Sequence, residues 1–185
     1  PLIESVEAAI CACKAHVSLM HGNRDFLIGR DFALRANVSL LDDPTCITIG
    51  DEPVLLMHGD SLCTRDEAYM AVRSQLRDPR FQAQLLAQPI DARRQIAASA
   101  RQESMHHKQQ TAMEIMDVTP SEVDQIMTNH GVRTLIHGHT HRPMDHQSEG
   151  STGDLRRIVL GDWGENGWHA VADADGNLSL SSFAL

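Results

Sequence analysis

Three short apolar runs in this chain each end on a polar loop built around glycine, and this repetition constrains the fold more than any other feature. Val17–Met20 runs into His21-Gly22-Asn23-Arg24-Asp25, residues 54–57 into His58-Gly59-Asp60, and residues 132–136 into His137-Gly138-His139-Thr140-His141. Apolar runs of this length that stop at glycine-rich polar turns read as buried strands. In an open α/β sheet, ligand sites form just beyond the carboxyl ends of strands. Three such loops are therefore expected to converge on one crevice.

The rest of the pattern fits an α/β chain. Ile3, Val6, Ala9, Ile10 and Cys13 form a helical stripe over residues 2–16. A short helix is expected over 30–36, and strands over 38–41, 46–49, 157–160, 168–172 and 178–183. From Thr64 to Gly131 glycine disappears and Ala, Gln, Arg, Met and Leu dominate, with Pro79, Pro89 and Pro120 dividing the stretch into four helices. No internal repeat or low-complexity linker interrupts the pattern. A length of 185 residues is room for one domain rather than two.

Composition removes several function classes. The 42% hydrophobic and 22% charged residues exclude wholesale disorder. A net charge of −9, from 16 basic and 25 acidic residues, argues against a nucleic-acid binder that works by bulk attraction. No apolar run is long enough to span a bilayer, and no basic, apolar leader is evident. Cys11, Cys13, Cys46 and Cys63 show no zinc-finger or disulfide-framework spacing and are expected to be reduced and buried.

The loops carry metal-binding chemistry. Neutral imidazole and carboxamide oxygen are ligands for divalent Zn, Mn, Fe or Ni. His139 and His141, one residue apart after Gly138, can project from a tight turn toward one point, with His58 and Asn23 supplied by the other loops. His16, His130, His146 and His169 stand outside these loops and read as ordinary core or surface histidines.

Residues 21–25 (HGNRD), 57–64 (MHGDSLCT), 115–118 (IMDV) and 136–143 (IHGHTHRP) resemble the motifs of calcineurin-like metallophosphoesterases. They are most similar to the branch that cleaves the pyrophosphate of an acylated UDP-sugar, UDP-2,3-diacylglucosamine, in lipid A synthesis. The resemblance implies a sandwich of two mixed sheets flanked by helices, with residues 64–131 inserted as a helical lid. It implies two divalent metal ions, manganese first among them. Asn23, His58 and His139 would hold one ion and His141 would belong to the other. Arg24 and His139 would act in catalysis, and Asn23, Arg24, Asp66, Ser104, Lys108, Thr111 and His139 would contact substrate. Thr111 departs from the family, where a longer basic residue is common, and Lys108 one turn earlier could serve the same group. The implied location is the cytoplasm, with peripheral attachment to the inner membrane. Nothing in the sequence points to a protein partner.

Arg24 stands where many members of the superfamily carry a histidine that can protonate a departing alkoxide. A guanidinium stays protonated and cannot serve as an acid, but its fork neutralises phosphate oxygens. That suits a phosphoanhydride, whose leaving group needs little proton help. The alternative is that Arg24 is a surface salt-bridge partner. From Arg73 to Lys108 there are seven basic and three acidic residues, a local +4 that leaves −13 elsewhere. Leu76, Phe81, Leu85, Leu86 and Ile96 are interleaved with these charges. The segment reads as a basic lid with an acyl-binding groove, or as helices packed on their own core with solvated arginines.

The Asp-x-His and Gly-Asp strand ends with which the family opens do not occur here. The expectation is therefore a chain without its first two βα units, one metal held weakly at most, and little activity. Two rival readings remain: another nucleotide pyrophosphatase or phosphodiesterase of the superfamily, and an inactive lipid-binding remnant.

Overall fold

The structure, a computed structural model, describes residues 2–112, 114–150 and 153–185, apart from the side chains of Leu2 and Lys108. It is a mixed α/β fold. Helix α1 (Leu2–Ala12) leads into β1 (Val17–Met20), α2 (Arg30–Ala36) and β2 (Val38–Leu41). Strands β1 and β2 pair in parallel, with Val17 opposite Val38. Ala33, Ala36 and Val38 form a small core there with Ile10, Val17, Phe32 and Leu40. Asn37 ends α2 in the left-handed region, with φ 54°, and returns its N–H to the Ala33 carbonyl.

The main sheet has five strands in the order β3-β4-β5-β7-β6. These are β3 (Thr45–Ile49), β4 (Glu52–Met57), β5 (Thr134–His137), β6 (Met144–Gly150) and β7 (Gly153–Val159). β4, β5 and β7 run parallel, and β3 and β6 close the edges antiparallel. Adjacent parallel strands need a long crossover. Four helices supply it between β4 and β5: α3 (Glu67–Leu76), α4 (Pro79–Leu86), α5 (Ile90–Gln110) and α6 (Pro120–His130). Pro79 and Pro120 occupy first-turn positions, where a missing N–H costs nothing, and Asp66 and Asp78 cap α3 and α4.

Strand alternation divides the sheet's side chains between two cores. Leu55, Met57, Leu135 and Leu155 face Val123 and Met127 of α6. Val54, Ile136 and Ile158 face the other way, against Ala170, Leu178 and Leu180 of the hairpin β8 (Asn166–Ala172) and β9 (Leu178–Ala184). The sheet is thus covered on both faces, as the near-continuous apolar character of β4 and β5 requires.

Two expectations change. The polar strand β6 has no β-branched residue and gave no strand signal. It exists because β7 offers it a full antiparallel register, from Met144 opposite Val159 to Gly150 opposite Gly153. The cysteines are also not uniformly buried: Cys11, Cys13 and Cys46 are exposed, and only Cys63 is enclosed. α1 leaves Ile3 and Val6 largely exposed, so its stripe lacks a covering layer, and Cys46 lies on edge strand β3.

Burial pushes the Cys63 thiol up to about 12. At pH 8, a thiol reagent should therefore label Cys11, Cys13 and Cys46 quickly and Cys63 only after unfolding, as read by mass spectrometry. Met127, with no exposed surface, is a sensitive core position. Met127→Ala should lower unfolding free energy by about 2–5 kcal/mol in urea titration.

Candidate functional site

Two of the glycine loops meet because β4 and β5 are parallel neighbours. The Gly138 N–H donates to the His58 carbonyl at 3.0 Å, closing one loop on the other. Gly59 takes φ 101°, and a Cβ there would stand 2.7 Å from His137 Nδ1. Only glycine fits that approach. His139 and His141 both adopt positive φ, 66° and 55°, an uncommon backbone state for histidine. His139 Nδ1 is thereby turned toward His58 Nε2 at 3.2 Å.

Burial keeps these imidazoles neutral. It lowers His58 to about 4 and His139 below its ordinary value. Neutral nitrogens facing one another are the form in which histidine binds a metal. Asn23, from the loop after β1, joins through Tyr69: the phenol contacts the Asn23 side chain, and its ring centroid lies 5.2 Å from that of His139. Asn23, His58 and His139 therefore fit one divalent ion by donor type. His141 faces elsewhere, with Nδ1 3.5 Å from Asp162 Oδ2. Among the described residues no three His, Cys, Asp or Glu side chains converge as a metal-binding group.

Beneath this pair lies a carboxylate that sequence reasoning left without a role. Asp60 has no exposed surface. Its Oδ2 accepts from the Tyr69 hydroxyl at 2.8 Å and sits 3.1 Å from Arg73 Nε and 3.7 Å from Arg77 Nη2. Burial alone would raise the Asp60 pKa, but Arg73 and His58, with the Tyr69 hydrogen bond, bring it below the usual carboxylate value. Arg77 also donates to the His21 and Gly22 carbonyls, 3.3 Å each, which ties the third loop to α3. The sequence signal was available in Tyr69, Arg73 and Arg77, four residues apart on one helical face.

The other predicted residues fall on two elements. Arg24 Nη2 donates to Ser104 Oγ of α5 at 2.5 Å. Asp66 is buried, and Thr111 is the C-cap of α5. Lys108 lies on the α5 backbone, and its side chain is outside the described residues. The IMDV segment acts as a tie: Asp117 pairs with Arg142 of the IHGHTHRP loop at 2.6 Å. A cleft of about 600 Å³, lined by Arg133, Thr134, Asp154 and Arg156 among others, opens at the starts of β5 and β7 and holds none of the predicted site residues.

A protein of Chromohalobacter salexigens named UDP-2,3-diacylglucosamine hydrolase is 54% identical over 167 residues, spanning 90% of this chain and 68% of its own length. The chain belongs to the UDP-2,3-diacylglucosamine hydrolase family. A relative of the same name from Pseudomonas aeruginosa is 53% identical over 87% of the chain and 67% of its own length. One from Marinobacter nauticus is 47% identical over 97% and 75%. No family model matches. A crystal structure of zinc-bound Vps29 from Entamoeba histolytica aligns over 99% of this chain and 87% of its own, at 11% identity and a TM-score of 0.29. That likeness is too slight to bear on fold or function.

Asp60→Asn should remove the charge that Arg73 and Arg77 face. Breaking such a buried ion pair costs about 3 kcal/mol or more, measurable as a lower urea midpoint.

Proposed function

We propose that this protein hydrolyses the pyrophosphate bond of UDP-2,3-diacylglucosamine, giving UMP and 2,3-diacylglucosamine 1-phosphate in lipid A synthesis. The observation that carries this reading is the 54% identity, over 90% of the chain, to a relative of that name. The site supports it chemically. Asn23, His58 and His139 would hold a divalent ion, manganese on the family's pattern, and His141 would contribute to a second. Bound there, the metal would polarise a phosphoryl oxygen and activate a water.

The chain's own groups do the remaining work. Arg24, exposed on an otherwise half-buried loop, is aimed at a hydroxyl rather than a carboxylate, so its charge is available to phosphate oxygens. A guanidinium gives no proton to the leaving group, and a departing phosphate needs little. Neutral His139 can lend a nitrogen to metal or substrate without carrying a competing proton. Asn23, Ser104, Lys108 and Thr111 complete the proposed substrate contacts, and Asp66 supports them from behind by holding His107.

The same proposal extends to the architecture. Residues 64–131 would form a lid on a two-sheet sandwich, with α6 as its root. The lid's arginines and the exposed Leu86, Ile90, Ile96 and Met105 suit an acylated anion and the cytoplasmic face of the inner membrane. Among the described residues no helix is long and apolar enough to cross a membrane; the attachment proposed, on the family's pattern, is peripheral.

UMP release from UDP-2,3-diacylglucosamine with Mn2+, by the protein carrying the N-terminal Asp-x-His and Gly-Asp strand ends, tests the reading; the 185-residue chain alone is expected to show little release. Chelation should abolish release and Mn2+ should restore it. His58→Ala and His139→Ala should each lower the rate by about 100-fold or more. Arg24→Ala should lower it by about 100- to 1,000-fold, while Arg24→Lys, which keeps charge without the fork, should lose less. Comparable turnover of UDP-sugars without acyl chains would instead identify a general nucleotide pyrophosphatase.

A further inference from the structure

Over much of its length α5 hardly touches the body of the protein: residues 94–103 are all exposed. Contact resumes on one stripe. Ser104 and His107 are half-buried among exposed neighbours, and half-buried Thr111 follows at the C-cap. Their spacing of three and then four residues places them on a single helical face. Ser104 meets Arg24, and the Thr111 hydroxyl lies 3.3 Å from both ring nitrogens of His107. His107 itself donates from Nε2 to Asp66, 2.9 Å from Oδ2 and 3.0 Å from Oδ1.

Asp66 is already committed. Its Oδ1 also accepts the Tyr69 N–H at 3.0 Å, which caps α3, and its side chain is 7% exposed. It cannot turn toward a ligand without uncapping α3 or releasing His107. The His107 side chain, 37% exposed, therefore stands between this buried anchor and the outer end of the site. It fixes Asp66 on one side and lies against Thr111 on the other, one helical turn from the serine that meets Arg24.

We propose that His107 is a positioning residue for the acylated UDP-sugar: pinned by Asp66, it holds the Ser104–Thr111 stripe of α5 in register with Arg24. This rests on the function proposed above and adds a residue that the motifs do not mark. Without the pin, α5 must be ordered when substrate binds, so the loss falls on affinity rather than on the chemical step.

The test measures binding of UDP-2,3-diacylglucosamine in mild detergent with metal chelated, and KM and kcat with Mn2+. His107→Phe keeps a ring but no donor. It should weaken binding and raise KM by about tenfold, while kcat falls by less than about threefold. His107→Gln keeps a donor near the Nε2 position and should return affinity to within about threefold of wild type. Adding His107→Phe to Asp66→Ala should cost little beyond Asp66→Ala alone, because both remove the same contact. Thermal midpoints are read alongside. If the phenylalanine variant does not fold, His107→Asn, whose amide is too short to reach Asp66, replaces it in the contrast with glutamine. Equal affinity of the donor-less variant and wild type, or a lower midpoint with unchanged KM, would overturn the proposal and leave the functional reading intact. A protein complete with its N-terminal strand ends that neither binds nor hydrolyses the substrate would overturn the functional reading and this proposal with it.

Discussion

The buried charge of Asp60 is the constraint on which the site depends. A carboxylate without solvent is tolerable only if cations and donors surround it. Here Tyr69, Arg73 and Arg77 converge on Oδ2 from one helical face, while the buried Oδ1 has no hydrogen-bond partner. Gathering these groups around Asp60 docks α3 onto the end of β4. Arg77 extends the network to the His21 and Gly22 carbonyls, and Tyr69 extends it to Asn23 and His139. One buried charge thus brings three loops from distant parts of the chain to a common place.

Backbone shape supplies what charge cannot. Gly59 permits the close passage of His137, and the left-handed conformations of His139 and His141 aim their rings differently from an extended strand. Histidine in that region carries strain that the surroundings must hold in place. The Gly138 N–H to His58 carbonyl bond and the Asp117–Arg142 pair brace the loop on either side. Burial then favours the neutral form of His58 and His139, which face each other.

Much of the framework was legible in the sequence because periodicity and proline placement are local. Val17–Met20, Arg30–Ala36 and Val38–Leu41 fall where the apolar pattern placed them, and three prolines separate the four crossover helices. Strand β6 was not legible, since its polar residues are held in extended form by pairing with β7. Nor was the exposure of Cys11, Cys13 and Cys46, because a helical stripe does not reveal whether a layer covers it.

The sequence by itself determined which loops carry imidazole and carboxamide groups of the kind that ligate divalent metals, that an arginine rather than an acid stands beside them, and which family the motifs resemble. These are properties of residue type and short spacing. Only the tertiary structure decided that His58 and His139 face one another while His141 turns to Asp162. It also decided that Asp60 is the hub and that Asp66 is bound to His107. Those outcomes depend on burial and on contacts between residues far apart in the chain, which side-chain chemistry and local spacing cannot encode.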